Sequence, residues 1–246
     1  MSEDARFTPF AFLVINLARF ILPGEITFSG VNSSLPMLAC LLAKKSYDFH
    51  FTYINVAGGV DAVPASAPLS SSDPQLAVGS CSIFANEDFY DLCCRGRMGL
   101  CFLGAAQVDG AGNTNMSCIG DPHSPKVRLP GGGGAAVMLP VAQRAVIWRT
   151  EHSTRTLVEK LDFTTAAGGA HGLVTPYAVF EKIGGRLALK YRNKGITPAE
   201  VRKRTGFTFD AADAAPVPLP TQRELGALKA LDPNGLFAAG AGIRLW

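Results

Sequence analysis

Between Ile26 and Gly59 the chain passes from a short β-prone run, Ile26-Thr27-Phe28, through a helix opened by Asn32-Ser33-Ser34, to a second β-prone run. That run, Phe51-Thr52-Tyr53-Ile54-Asn55-Val56, stops abruptly at Ala57-Gly58-Gly59. A strand, a glycine-bearing loop, a helix and a strand in this order form the pattern of a parallel sheet. Leu35 to Lys45 supplies the helix, with Pro36 in its first turn, where a missing N–H is tolerated. Leu100-Cys101-Phe102-Leu103 and Ala145-Val146-Ile147-Trp148 read as further buried strands, and Leu161-Asp162-Phe163-Thr164-Thr165 as another. Asn115 to Ile119 reads as a returning strand after the tight turn Gly110 to Asn113, and Asp88 to Leu92 as a helix closing at Gly96. From Gly169 onward, Leu173 to Phe180 and Leu187 to Leu189 read as a hairpin around Gly184-Gly185. Thr197 and Glu200 make a capping box for Pro198 to Arg204, and Thr221 to Leu231 is a last amphipathic helix beyond a proline linker, Pro216 to Pro220. The expected organisation is one α/β domain over residues 1–215 and a helical extension over 216–246 packed on it.

The length of 246 residues suits one large α/β domain with an arm better than two full ones. Hydrophobic residues make up 48% and charged residues 17%, which excludes intrinsic disorder and a highly charged nucleic-acid arm. A net charge of +3 is too small to imply a polyanionic partner. The low charge fraction and positive mean hydropathy point instead to a surface partly covered by another subunit. Pro9 to Leu22 is shorter than a bilayer span, is broken by Asn16 and Arg19, and follows Glu3 and Asp4 rather than a basic segment. It reads as a buried first helix ended by Pro23-Gly24, and neither a membrane span nor a signal peptide is expected. The six cysteines, Cys40, Cys81, Cys93, Cys94, Cys101 and Cys118, form no C-x-x-C pair and no zinc spacing. Reduced, mostly buried thiols in a cytoplasmic protein without a metal site are the expectation.

Four consecutive glycines, Gly131 to Gly134, are the strongest local signal for chemistry. A run without side chains lets a ligand approach the backbone, and its N–H groups can face developing negative charge. No Gly-Lys-Ser/Thr follows and the G-x-G-x-x-G spacing is missing, so neither a P-loop nor a dinucleotide site is indicated. Because Ala135 to Leu139 follows as a helix-like segment, the loop has the geometry of an anion or oxyanion site. Ala57-Gly58-Gly59 is the second signal, since ligands of parallel sheets sit at the carboxyl ends of strands. Of the four histidines, His123 lies a few residues before the glycine run and so within reach of the same site. No serine sits in a G-x-S-x-G elbow, and Glu151-His152 has no second histidine at metal spacing. Arg95 and Arg97 follow a helix end, where the helix dipole favours cations.

Five stretches complete the reading: PGEITFSGVNSSLPMLACLLAKK, GAAQVDGAGNTNMS, KVRLPGGGGAA, RTEHSTRTLVEKLDFTTAAGG and TPAEVRKRTGFTFD. In this order, over nearly the whole chain, they resemble the β subunit of the class I CoA-transferases, the glutaconate CoA-transferase branch in particular. The resemblance implies a mostly parallel sheet with helices on both faces, the CoA-transferase (NagB/RpiA-like) fold. It also implies an α-subunit partner in an αβ or α2β2 assembly, with the active site at the junction. Coenzyme A enters as part of an acyl-CoA substrate, with no permanently bound cofactor, metal, nucleic acid or membrane. In such transferases a glutamate after the second strand attacks the acyl-CoA carbonyl and then carries CoA as a thioester. Val56 falls at that position here, and a valine is no nucleophile. Asp61 lies a few residues further on. By the same resemblance the glycine run lines the thioester pocket, with Gly132 and Gly133 as oxyanion donors between Gly131 and Gly134. Ala57, Gly58, Gly59, Gln107 and His123 are expected as further substrate contacts. Relatives without the glutamate include steroid ring-opening hydrolases and a methylglutaconyl-CoA decarboxylase. The leading expectation is therefore an acyl-CoA hydrolase or lyase subunit. The alternatives are a genuine CoA-transferase using a carboxylate from Asp61 or the partner, and a non-catalytic scaffold.

Overall fold

A computed structural model of the chain describes residues 8–243. Helix α1 (Pro9–Ala18) is followed by β1 (Ile26–Ser29), α2 (Ser34–Ser46), β2 (Thr52–Asn55), β3 (Gly59–Val60), a 3-10 turn at Pro74–Ala77, and β4 (Ser82–Ile83). Next come α3 (Asn86–Cys94) and β5 (Leu100–Gly104), then two small ribbons. The first pairs β6 (Gln107–Val108) with β7 (Thr114–Asn115), the second β8 (Cys118–Ile119) with β9 (Val127–Arg128). Helix α4 (Ala135–Val141) leads into β10 (Arg144–Trp148), β11 (Gly172–Val174), β12 (Ala178–Ile183) and β13 (Arg186–Arg192). The chain closes with α5 (Pro198–Arg204), β14 (Ala215–Pro216), α6 (Gln222–Leu231) and α7 (Leu236–Gly240).

Ten strands form one sheet in the order β14-β13-β12-β11-β10-β5-β1-β2-β3-β4. Its centre is parallel: β11, β10, β5, β1 and β2 run the same way, with Thr27 opposite Leu100 and Val146 opposite Phe102. Antiparallel pairs extend it at both sides. The central strands are apolar throughout because both faces are covered. On β5, Leu100 and Phe102 join the cluster of α1, α2 and α6, while Cys101 and Leu103 join the cluster of α3 and α4. The glycine loop sits beside the second cluster, so this alternation fixes which sheet face it meets.

Helix α1 is buried from Phe10 through Ala18 on every side, which explains its continuous apolar run. Among the described residues no helix is long and apolar enough to cross a membrane. Asn16 is buried but satisfied, donating from Nδ2 to the Phe12 carbonyl. The helix stops at Ala18, short of the expected Leu22, because Arg19 turns out to grip other parts of the chain. Its guanidinium donates to Glu224 and to the carbonyls of Pro218 and Leu219. Glu224 also accepts the Thr221 N–H in the capping box of α6 and the Tyr47 hydroxyl. Burial opposes its charge, but Arg19 and the cap N–H outweigh it, holding this carboxyl below its ordinary value. Val217, Leu228, Leu231 and Phe237 thereby join the core of the α1–α2 face. Glu3 and Asp4, and the last residues of the 216–246 extension, lie outside the described residues.

Three local expectations are corrected. Residues 161–165 form no strand: Asp162 turns inward to accept from Gln107 Nε2 and the Gly120 N–H, and Thr165 Oγ1 accepts the Met116 N–H. Leu173 to Phe180 is two antiparallel strands, because Pro176 has no N–H to donate and Thr175 Oγ1 accepts from the N–H of Tyr177 and Ala178, reversing the chain. Ser33 stands at the N-cap of α2 but makes no side-chain cap bond. The residue three places on is Pro36, which has no N–H to offer, and Ser33 Oγ donates to the Val31 carbonyl instead. The capping box of α5, Thr197 with Glu200, forms as the sequence indicates. The described cysteines are all free; Cys40, Cys93, Cys101 and Cys118 are buried and Cys81 and Cys94 exposed.

Candidate active site

The carboxyl ends of β1, β2, β5 and β10 open on one cavity of about 700 Å³. Gly30 to Ser33 follow β1 on its wall, Val56 follows β2, Ala105 and Ala106 follow β5, and Arg149 and Thr150 follow β10. Gly131 to Gly134 close the wall opposite α3. Phe28 stacks on Phe89 with ring centroids 4.0 Å apart, and Phe89 meets Tyr90 edge-on, giving an apolar aromatic side. Asn32 holds a left-handed backbone (φ 53°) at the cavity rim, a conformation asparagine tolerates better than most residues.

The glycine loop is shaped by contacts from behind. The Gly131 N–H donates to the Met116 carbonyl at 2.8 Å, and the Met116 N–H donates to Thr165 Oγ1 at 2.8 Å. Gly131 and Gly133 have φ of 94° and 48°. A Cβ on Gly132 would sit 2.8 Å from Thr165 Cγ2, and one on Gly134 would sit 2.6 Å from the Tyr90 hydroxyl. The Gly132 carbonyl accepts the Ala135 N–H, while among the described residues nothing accepts from the N–H of Gly132 or Gly133. Both line the cavity, so two free backbone donors face a space large enough for a ligand. Helix α4, which follows, spans only seven residues and contains Pro140. The donors are thus the loop's own N–H groups rather than the end of a long helix.

The turn after β2 is built differently. Asn55 is fully buried; its Nδ2 donates to the carbonyls of Gly59 and Leu76, and its Oδ1 accepts the Ala57 N–H. Gly58 has φ 95°, and a Cβ on Gly59 would stand 2.1 Å from the Leu76 carbonyl oxygen. These glycines exist to let the turn fold against the 3-10 segment. Of the expected contacts in this stretch only Val56 reaches the cavity wall; Ala57, Gly58 and Gly59 do not.

Three further sequence candidates also lie off that wall. Gln107 is buried, with Nε2 donating to Asp162 and Oε1 accepting from Asn115 Nδ2 and the Asp162 N–H, so its amide braces the ribbon under the loop. His123 is exposed beyond β8, with its backbone N–H on Asp121. Asp61 pairs with Lys44 at 2.6 Å and accepts the Tyr53 N–H. The structure adds a residue that the motifs do not single out. Arg149 is the one charged residue on the cavity wall among those described, and no carboxylate, histidine or cysteine joins it there. Burial pushes its guanidinium down, partly offset by Glu151. The signal available in the sequence is its place immediately after a buried strand, the same argument that singles out Val56. Among the described residues no group of three or more His, Cys, Asp or Glu is placed to hold a metal ion.

Comparison with known proteins locates this architecture. The coenzyme A transferase family matches residues 14–203. A relative from Pseudomonas knackmussii, one of the two kinds of subunit of its 3-oxoadipate CoA-transferase, is 31% identical, with 93% of this chain and 94% of the relative covered. The crystal structure of the decarboxylase AibA/AibB superposes with a TM-score of 0.88 at 31% identity, covering 95% of this chain and 98% of that one. Glutaconate coenzyme A-transferase from Acidaminococcus fermentans shares the fold, with a TM-score of 0.83 at 24% identity and 98% of both chains covered. A family match over more than half of the sequence, on a sheet that superposes from end to end, establishes that this chain belongs to the coenzyme A transferase family.

Proposed function

We propose that this chain is the β-type subunit of a two-subunit enzyme that cleaves or decarboxylates an acyl-CoA, with an α-type partner in an αβ or α2β2 assembly. The observation that carries the reading is the cavity wall, which offers two free glycine N–H groups and no carboxylate. A thioester carbonyl set against Gly132 and Gly133 gains about 3–4 kcal/mol per donor as it becomes an enolate or tetrahedral oxyanion. Val56, at the turn where the resemblance places the transferases' glutamate, contributes an apolar wall and no nucleophile. The acid/base group then comes from the partner, because none lines this chain's side of the cavity. Coenzyme A arrives as part of the substrate, and the chain's own residues hold no further cofactor in this scheme. The 31% identity to a protein named a decarboxylase supports the lyase reading.

A second reading, CoA transfer, draws support from the Pseudomonas knackmussii relative, which is named for 3-oxoadipate CoA-transferase. Asp61 is engaged by Lys44 and the Tyr53 N–H away from the cavity wall, so in that reading the carboxylate is the partner's. Borohydride reduction after incubation of the complex with acyl-CoA separates the two. Under the first reading neither subunit acquires a reduced carboxylate or CoA adduct. An adduct on the partner establishes the second, and an adduct on this chain overturns both. Unchanged turnover in an assembled complex carrying a bulky residue at Gly132 would show that the chain only scaffolds its partner.

A further inference from the structure

Within the same cavity the recognition of the acyl group can be read further. Arg149 follows β10, and its Nε is buried without a hydrogen-bond partner. No hydrogen bond or ion pair joins its guanidinium to any described residue. The neighbouring acid, Glu151, accepts from the Ser153 hydroxyl and from Arg155 instead. Next to it, the Trp148 indole Nε1 is also buried and unpartnered on the same wall. A guanidinium and an indole N–H left without acceptors in an otherwise uncharged cavity make an arrangement that lacks one anion. A lone guanidinium matches a single carboxylate, which it can hold through two parallel N–H bonds. A diphosphate would need more than one cation, and the described lining supplies no second.

We infer that Arg149, with the Trp148 N–H beside it, receives a carboxylate on the acyl chain, so that the substrate is the monothioester of a dicarboxylic acid. This rests on the thioester reading of the cavity and names its substrate class. The held carboxylate is an anchor rather than the group lost as carbon dioxide, because ion pairing stabilises the charge that decarboxylation has to discharge. Chemistry then takes place on the carbons between the anchored end and the thioester at the glycine loop.

The test is equilibrium binding of glutaryl-CoA and pentanoyl-CoA, which differ by one terminal carboxylate, to the complex of this chain with its α-type partner. The wild-type complex is expected to prefer glutaryl-CoA by about tenfold or more, the usual worth of a hydrogen bond to a charged group. Arg149→Met is expected to abolish that preference and leave pentanoyl-CoA binding unchanged. Equal binding of the two by the wild type, or equal weakening of both by Arg149→Met, overturns the carboxylate assignment while the thioester reading stands. Binding of neither by the wild type removes the thioester reading, and the inference with it. Failure of Arg149→Met to assemble with the partner would mean that the guanidinium meets the partner subunit, and overturns the assignment too. Arg149→Lys keeps the charge and gives up the planar fork, so it should assemble and lose part of the preference; an undiminished preference there also counts against the inference.

Discussion

Two glycine-rich turns flank the same cavity and serve opposite ends. After β2, Gly58 and Gly59 clear space for the rest of the chain: Leu76 and Phe84 carbonyls press where their side chains would be, and Asn55 stitches the turn from inside. In the loop before α4, Gly132 and Gly133 clear space for something that is not the chain, and keep their N–H groups free on the cavity wall. Residue type alone does not separate the two cases. What separates them is whether the backbone donors and acceptors around each glycine already have partners.

The sharpest way to break this contrast is Gly59→Val. With the Leu76 carbonyl oxygen 2.1 Å from the new Cβ, backbone must move. The expected cost is about 3 kcal/mol or more, read as a lowered urea midpoint, with turnover per folded molecule retained. If the variant is as stable as wild type but inactive, Gly59 belongs to the site and the contrast fails. Gly132→Val should do the reverse. The neighbour is the Thr165 methyl group, which can yield a few tenths of an ångström, while the displaced loop loses a donor. A fall in kcat of about 100-fold is expected with the fold kept. Asn55→Ala should cost about 2 kcal/mol, because the buried carbonyls of Gly59 and Leu76 each lose a donor, with KM little altered.

Acid supplies the gentlest probe. His152 is buried between Thr175 and Thr205, and its pKa is pushed down to about 3, first by burial and then by the charge of Arg204. The unfolded chain takes up a proton near pH 6.5 that the folded chain refuses. Stability is therefore full above that pH and declines as the pH falls toward about 3, by about 1.4 kcal/mol per unit from this group. His171, likewise lowered by burial and by Lys182 and Arg144, adds in the same direction. Neither turn touches His152, so urea midpoints of wild type, Gly59→Val and Gly132→Val should decline in parallel between pH 6.5 and 4.5. A different slope in one variant would show that its turn carries a titrating group of its own.

Much of the fold was legible because it obeys local rules. The crossover from β1 through α2 to β2, the apolar β5 and β10, the Gly184-Gly185 hairpin and the Thr197–Glu200 box follow from periodicity, caps and turn residues. Sequence and structure part where a side chain prefers a distant partner. Asp162 and Thr165 leave a strand-like stretch to brace the ribbon and the glycine loop, and Arg19 ends α1 by reaching past two hundred residues to Glu224. Of the candidate site, Val56 and the four glycines reach the cavity, whereas Gln107 and His123 do not. Gln107 has both its amide groups satisfied inside, a fact about Asn115 and Asp162 that spacing does not encode.

The order of apolar runs, glycines and caps by itself determined a parallel α/β sheet covered on both faces, since each strand's burial is written in its own residues. Only the tertiary structure decided which glycines face a ligand and that Arg149 stands alone among uncharged neighbours. The reason is physical: burial is a property of a segment, but whether a polar group lacks a partner depends on every segment brought around it.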